Sequence, residues 1–168
     1  GLALKTSWNS SEADYVGYMD LDIATDLSAL KTVVSEIDKG NKIINGSRLL
    51  KNSEVINRTI IREMTSRVFN FLLKIILKVK FTDGMCGFKF LERETAKTLI
   101  DTGINTKGWF FSTEILVKGY WKGIEIKEIP VKWTDDRNSK VKIFSLSLNY
   151  FKNILRLKKE EKEVKRIK

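Results

Sequence analysis

Residues 14–47 switch between two hydrophobic patterns, and that alternation restricts the fold more than any other feature of the chain. "DYVGYMD" (14–20) sets Tyr15, Val16, Tyr18 and Met19 in a stretch too apolar for an exposed loop, so it reads as a strand. "SALKTVVSEIDKG" (28–40) places Leu30, Val33, Val34 and Ile37 at helical spacing, with Ser28 available as a cap and Gly40 as a stop. "KIINGSR" (42–48) is again a short strand ending at a glycine. Strand, helix, strand at these lengths predicts a parallel α/β unit. The chain has 168 residues, of which 42% are hydrophobic and 31% charged, which suits one globular domain with a real core.

Further along, residues 57–81 are helical and amphipathic, with Arg67, Asn70, Lys74 and Lys78 as one polar stripe. A membrane-spanning helix needs roughly 20 mostly apolar residues, and this run is shorter and carries internal lysines. It suits either a helix lying in a membrane interface, lysines level with the headgroups, or one buried on most sides. "LERETAKTLIDTG" and "STEILVKGYWKG" are helices, "IEIKEIPVKW" is a strand, and "SLSLNYFKNILRLKK" is a final amphipathic helix. No internal repeat or linker interrupts them.

The net charge is +10, and it is concentrated: six Lys/Arg against one Glu over 58–80, and eight against three over 151–168. Such localisation points to an anionic partner, phosphate groups or an anionic membrane surface. There is no histidine, so the commonest neutral-pH base and transition-metal ligand is missing. A metal would be held by oxygen, and therefore be Mg or Mn. A lone Cys86 forms no internal disulfide.

Asp20 and Asp22 stand just past the first strand, at the strand end where α/β sheets bind ligands. If the segment stays extended, the two carboxylates point the same way and share one ligand. The alternative is that Asp22, Thr25 and Asp26 form a turn or cap the next helix. "GSR" puts Arg48 at the same sheet edge, Arg62 and Ser66 share one face of the following helix, and Arg137, Ser139 and Lys140 form a polar cationic loop. Guanidinium binds phosphate bidentately, so these groups suit a phosphate cradle, whereas each arginine alone suits a surface ion pair.

Together, "DLDIAT", "GSR", "REMTS", "DGMCGFK", "WFFSTEIL" and "IKEIPVKWTDDRNSK", followed by the basic helix, resemble the family 2 glycosyltransferases that charge polyprenyl phosphates, most of all the dolichyl-phosphate glucosyltransferases. The resemblance implies a GT-A fold, a Rossmann-like mixed α/β sheet flanked by helices, that lacks the N-terminal nucleotide-binding βαβ portion. Residues 1–158 would be the C-terminal two thirds of the catalytic domain and 159–168 a basic charged tail. It implies Asp22 as metal ligand with Asp20 as its partner; Arg48, Arg62 and Ser66 as the acceptor-phosphate site; and Arg137, Ser139 and Lys140 as the loop over the donor diphosphate. Asp83 matches an acidic position near the active centre, and Glu114 one beside the acceptor, although a helix N-terminal acid explains Glu114 equally well. Ala24 stands where the mannosyl branch carries a glutamine, which favours UDP-glucose over GDP-mannose as donor. Metal-dependent transfer of a hexose to dolichyl or other polyprenyl phosphate is therefore expected, by a peripheral protein on the cytoplasmic face of a membrane. Two rivals remain: a polysaccharide or glycolipid acceptor, or a non-enzymatic basic binder of nucleic acid or an anionic surface. Nucleic acid is not the expected partner, because the aromatics are scattered through apolar segments instead of interleaving the basic runs.

Overall fold

A computed structural model describes residues 1–135 and 143–166, with the side chains of 143–146 and 162–166 excepted. In chain order the elements are α1 (Leu2–Ser10), β1 (Tyr15–Met19), α2 (Ala29–Asp38), β2 (Ile43–Ser47), β3 (Glu54–Ile56), α3 (Ile60–Leu77), β4 (Phe88–Glu92), α4 (Arg93–Asp101), α5 (Phe111–Trp121), β5 (Ile126–Pro130), β6 (Lys132–Thr134) and α6 (Ile143–Arg166). Thr59 caps α3 by accepting a hydrogen bond from the amide of Arg62, and the chain leaves α2 through Gly40 at φ +80°.

The main sheet has the order β1-β4-β2-β5. β1 and β2 run in the same direction, as the strand–helix–strand pattern predicts, but they are not neighbours. β4 lies between them, antiparallel to both, with Met19 opposite Phe88 and Asn45 opposite Lys89. β2 and β5 pair in parallel. One consequence positions the site. The C-terminal ends of β1 and β2 and the N-terminal end of β4 meet at one sheet edge, which brings residues 82–87 between Asp20 and Arg48.

"IEIKEIPVKW" is two strands rather than one. β5 ends at Pro130, which cannot donate to a ladder, and β6 then pairs in parallel with β3 in a separate two-stranded sheet.

Helices cover both faces of the main sheet. Alternation along β2 sends Ile43 into a cluster with Trp8, Phe69, Leu73, Leu99 and Ile115, and Ile44 into another with Val33, Cys86, Phe88 and Ile129 beneath α2. α3 and α6 pack together, Phe69 meeting Tyr150 with ring centroids 5.1 Å apart.

α3 is apolar on two opposite sides. Phe69, Leu73 and Leu77 are buried, while Ile60, Ile61, Met64, Val68, Phe71 and Ile75 are exposed and fall within about 100° of one another around the helix. Asn70 leaves the predicted polar stripe: it turns inward, and its Oδ1 accepts the amide of Gly84 at 2.8 Å. Among the described residues no helix is long and apolar enough to cross a membrane.

Candidate active site

Asp20 leaves β1 with its amide donating to the Gly87 carbonyl at 3.0 Å. Its carboxylate rests on the Gly87 backbone so closely that a Cβ there would come within 2.0–2.2 Å of it. Burial pushes the Asp20 carboxyl above the ordinary range, and Asp22 pushes it the same way, while Lys89 and Arg48 oppose them. The segment after Asp20 is a turn rather than an extended strand. Ile23 has φ +52°, and Asp22 Oδ1 accepts the Ala24 amide at 3.1 Å. Asp26 likewise accepts the Ser28 amide at 2.8 Å. The extended-segment reason for pairing the acids therefore fails, and the turn alternative describes the backbone.

Asp20 also walls a cleft of about 360 Å³ together with Tyr18, Gly87, Trp109, Ser112 and Tyr150. A larger hollow, about 490 Å³, lies near the opposite end of β5 beside Lys80, Tyr120 and Ile126 and holds none of the predicted site residues.

Asp20 and Asp22 lie on one folded turn, and carboxylates are hard oxygen donors of the kind that suits Mg or Mn, with waters and substrate phosphates completing the shell. Among the described residues, no group of three or more Asp, Glu, Cys or His gathers as a metal cage.

Across the same edge, Arg48 grips Asp83 through Nε at 2.7 Å and Nη2 at 3.0 Å, both side chains almost wholly buried. Burial would raise the Asp83 carboxyl. The Arg48 guanidinium more than reverses this and holds it well below the usual carboxylate range. Asp83 also accepts the amides of Arg48 and Met85. Its observed work is to lock the end of β2 to the 82–87 loop.

Arg62, in the first turn of α3, pairs with Asp135 at the end of β6. Ser66 is buried one turn on, four residues along the same face as predicted, and its Oγ has no hydrogen-bond partner among the described residues. The 20–26 turn is stitched to β6 by Thr134 N to Ala24 O at 2.8 Å and Asp26 N to Lys132 O at 2.9 Å. Trp133 of β6 in turn carries the guanidiniums of Arg48 and Arg58 at 5.3 and 5.5 Å from its ring centroid. β6 is the bracket that holds acids and arginines together.

Glu114 lies elsewhere. It is fully buried in the first turn of α5 and accepts from the amides of Asn105 and Thr106, from the Thr106 hydroxyl and from Arg156 at 2.8 Å. Burial would raise its carboxyl, but these donors keep it low. Through Arg156 and Glu160 this cluster fastens α6 to the domain. These partners account for Glu114 as a structural acid of α5, beside the role that the resemblance implies for it. Arg137, Ser139 and Lys140 lie outside the described residues.

Sequence reasoning passed over four residues of this edge. Arg58 and Asp135 each sit beside a predicted arginine. Trp133 becomes visible only once β6 is known to leave the main sheet. Lys89, wholly buried, donates to the Cys86 carbonyl and lies 5.9 Å from the Tyr18 ring centroid. A lysine in the apolar run "GFKFL" was the available signal.

A mixed α/β sheet flanked by helices is the architecture of the GT-A glycosyltransferases. No known family profile matches the chain. Curated proteins do: it is 32% identical to glycosyltransferase AglD of Haloferax volcanii over 93% of this chain and 25% of that protein. It is 30% identical to the dolichyl-phosphate beta-glucosyltransferase of Dictyostelium discoideum over 94% of this chain and 50% of that protein. The Saccharomyces cerevisiae dolichyl-phosphate beta-glucosyltransferase matches at 30% over 79% and 38%. The chain is thus similar, over most of its own length, to glycosyltransferases that include dolichyl-phosphate beta-glucosyltransferases. It spans between a quarter and a half of the length of these relatives.

Proposed function

We propose that this chain carries the metal and acceptor-phosphate half of a reaction in which a hexose moves from a nucleotide sugar to a polyprenyl phosphate, with inversion at the anomeric carbon. The donor is UDP-glucose in preference to GDP-mannose, since Ala24 offers no side-chain ligand where the mannosyl branch has one. The observation that carries the reading is the meeting of the Asp20–Asp22 turn with Arg48 and Arg62 around β6.

A phosphate monoester is largely ionised at neutral pH, so the nucleophile needs no strong base, and a site without histidine is adequate. The difficulty is bringing one anion up to another. Asp20 and Asp22 would hold a Mg or Mn ion, which would supply positive charge at the leaving diphosphate. Arg48, fixed by Asp83, offers a permanent buried cation. Arg62 is the more exposed of the two, its side chain 21% accessible, and it exchanges Asp135 for the incoming phosphate. Arg137, Ser139 and Lys140 act on the donor diphosphate in this reading. Asp83 and Glu114 serve as positioning residues, because each is committed to arginine.

The acceptor's tail lies in a bilayer, so the protein works at a membrane surface, on its cytoplasmic face. The exposed stripe of α3 supports this, with Leu148, Phe151 and Leu155 of α6 and the exposed Lys152 and Lys159 beside them.

The test is transfer of labelled glucose or mannose to dolichyl phosphate in detergent by the full-length gene product, with Mg or Mn. Metal-dependent label in the organic phase from UDP-glucose is expected. Asp22→Ala and Arg62→Ala should each lower turnover by at least about a hundredfold, and near-normal turnover in either would remove its assigned role.

A further inference from the structure

Arg58 carries chemistry that the site so far leaves unused. It precedes the cap of α3, and its side chain is only 8% exposed. Its guanidinium rests on Trp133 beside that of Arg48, and its Nη2 donates to the Arg62 carbonyl at 3.4 Å. The other two nitrogens, Nε and Nη1, are buried without a hydrogen-bond partner among the described residues. Those two atoms hold three of the five N–H groups of a guanidinium. Glu63 Oε2 lies 3.0 Å from Nη1, yet it too has no hydrogen bond, so the pair is close without being aligned.

A desolvated cation with most of its donors idle is costly. Burial and the neighbouring Arg48 both depress the Arg58 pKa, which marks the same strain. Ser66, on the face of α3 that carries Arg62, presents a second buried donor without a partner. What these groups lack is an acceptor with negative charge.

We propose that Arg58 is a third anion-binding arginine of this edge, taking a phosphoryl oxygen of the same group that reaches Arg62 and Ser66. The assignment rests on the phosphate-handling reading of the site but not on the lipid attached to the phosphate. Glu63 is the resident competitor. It can yield Arg58 at small loss, since its Oε1 already accepts from Arg67 Nε at 2.6 Å. A phosphate monoester brings more charge than a carboxylate and three acceptor oxygens, so it can address idle donors that Glu63 cannot align with.

The experiment is a titration of the full-length gene product in detergent, without nucleotide sugar, using citronellyl phosphate, inorganic phosphate and the uncharged alcohol citronellol. Arg58→Gln should weaken both phosphates by about tenfold or more, Arg58→Lys should recover part of this, and citronellol should be unaffected. Glu63→Gln should tighten both phosphates by about threefold or more, an outcome that a purely structural Arg58 would not give. If Arg58→Gln fails to fold, the lysine and glutamine variants at 58 and 63 carry the test. Phosphate binding within about twofold of wild type in the Arg58 variants and in Glu63→Gln overturns the assignment, as does a wild type that binds neither phosphate. Arg58-dependent binding of phosphate without any transfer to a polyprenyl phosphate keeps the assignment and overturns the lipid acceptor instead.

Discussion

Asp83 shows how one buried carboxylate sets the conditions under which the site exists. Removing one partner of a buried pair strands the other charge, so Asp83→Asn should cost about 3–5 kcal/mol at neutral pH. Because the folded carboxyl titrates below the unfolded one, that stability is complete above the unfolded aspartate pKa of about 3.9 and is lost as pH falls from there toward the folded value. Urea denaturation of wild type and variant at stepped pH should show a gap that narrows below about pH 4; a gap independent of pH would mean the pair is not its source. Gly87 makes a second point at this scale. Its missing Cβ is the space in which the Asp20 carboxylate lies. Gly87→Ala should therefore weaken Mn binding by about tenfold or more, measured by electron paramagnetic resonance of free Mn, with little change in secondary structure. Unchanged Mn affinity would show that Asp20 is not a ligand.

Among the elements, α3 does the most varied work. Its first turn holds Arg62, its inner face enters the core, and its outer face is an exposed apolar stripe. Periodicity alone could not divide these functions, because both faces are apolar and the expected polar stripe loses Asn70 to the interior. Substituting Phe71 and Ile75 by Glu should change stability by less than about 0.5 kcal/mol each, since neither is buried. The same pair should abolish flotation of the protein with anionic vesicles. Retained flotation would move the membrane contact off α3. The strands were legible in proportion to their isolation. β1 and β2 stand between clear turn signals, whereas β4 follows "DGMCG" and runs straight into α4, so its last two residues read as the start of that helix. The acids and arginines could be found from residue type and strand position. Their partners could not, because Asp83, Trp133 and Asp135 become neighbours only through pairings distant in the chain.

At the scale of the whole molecule, β4 is the strand that makes the sheet possible, and it arrives late. Residues 15–19 and 43–47 have no ladder with each other; both wait for 88–92, and β2 then waits again for 126–130. Until residues 88–92 have been made, β1 and β2 therefore lack the partner strand that they share. Long-range pairing of this kind is slow, and unpaired edges invite association with other chains. The topology that brings the 82–87 loop between Asp20 and Arg48 thus also sets a period of vulnerability during synthesis, in which a holding chaperone would find its substrate.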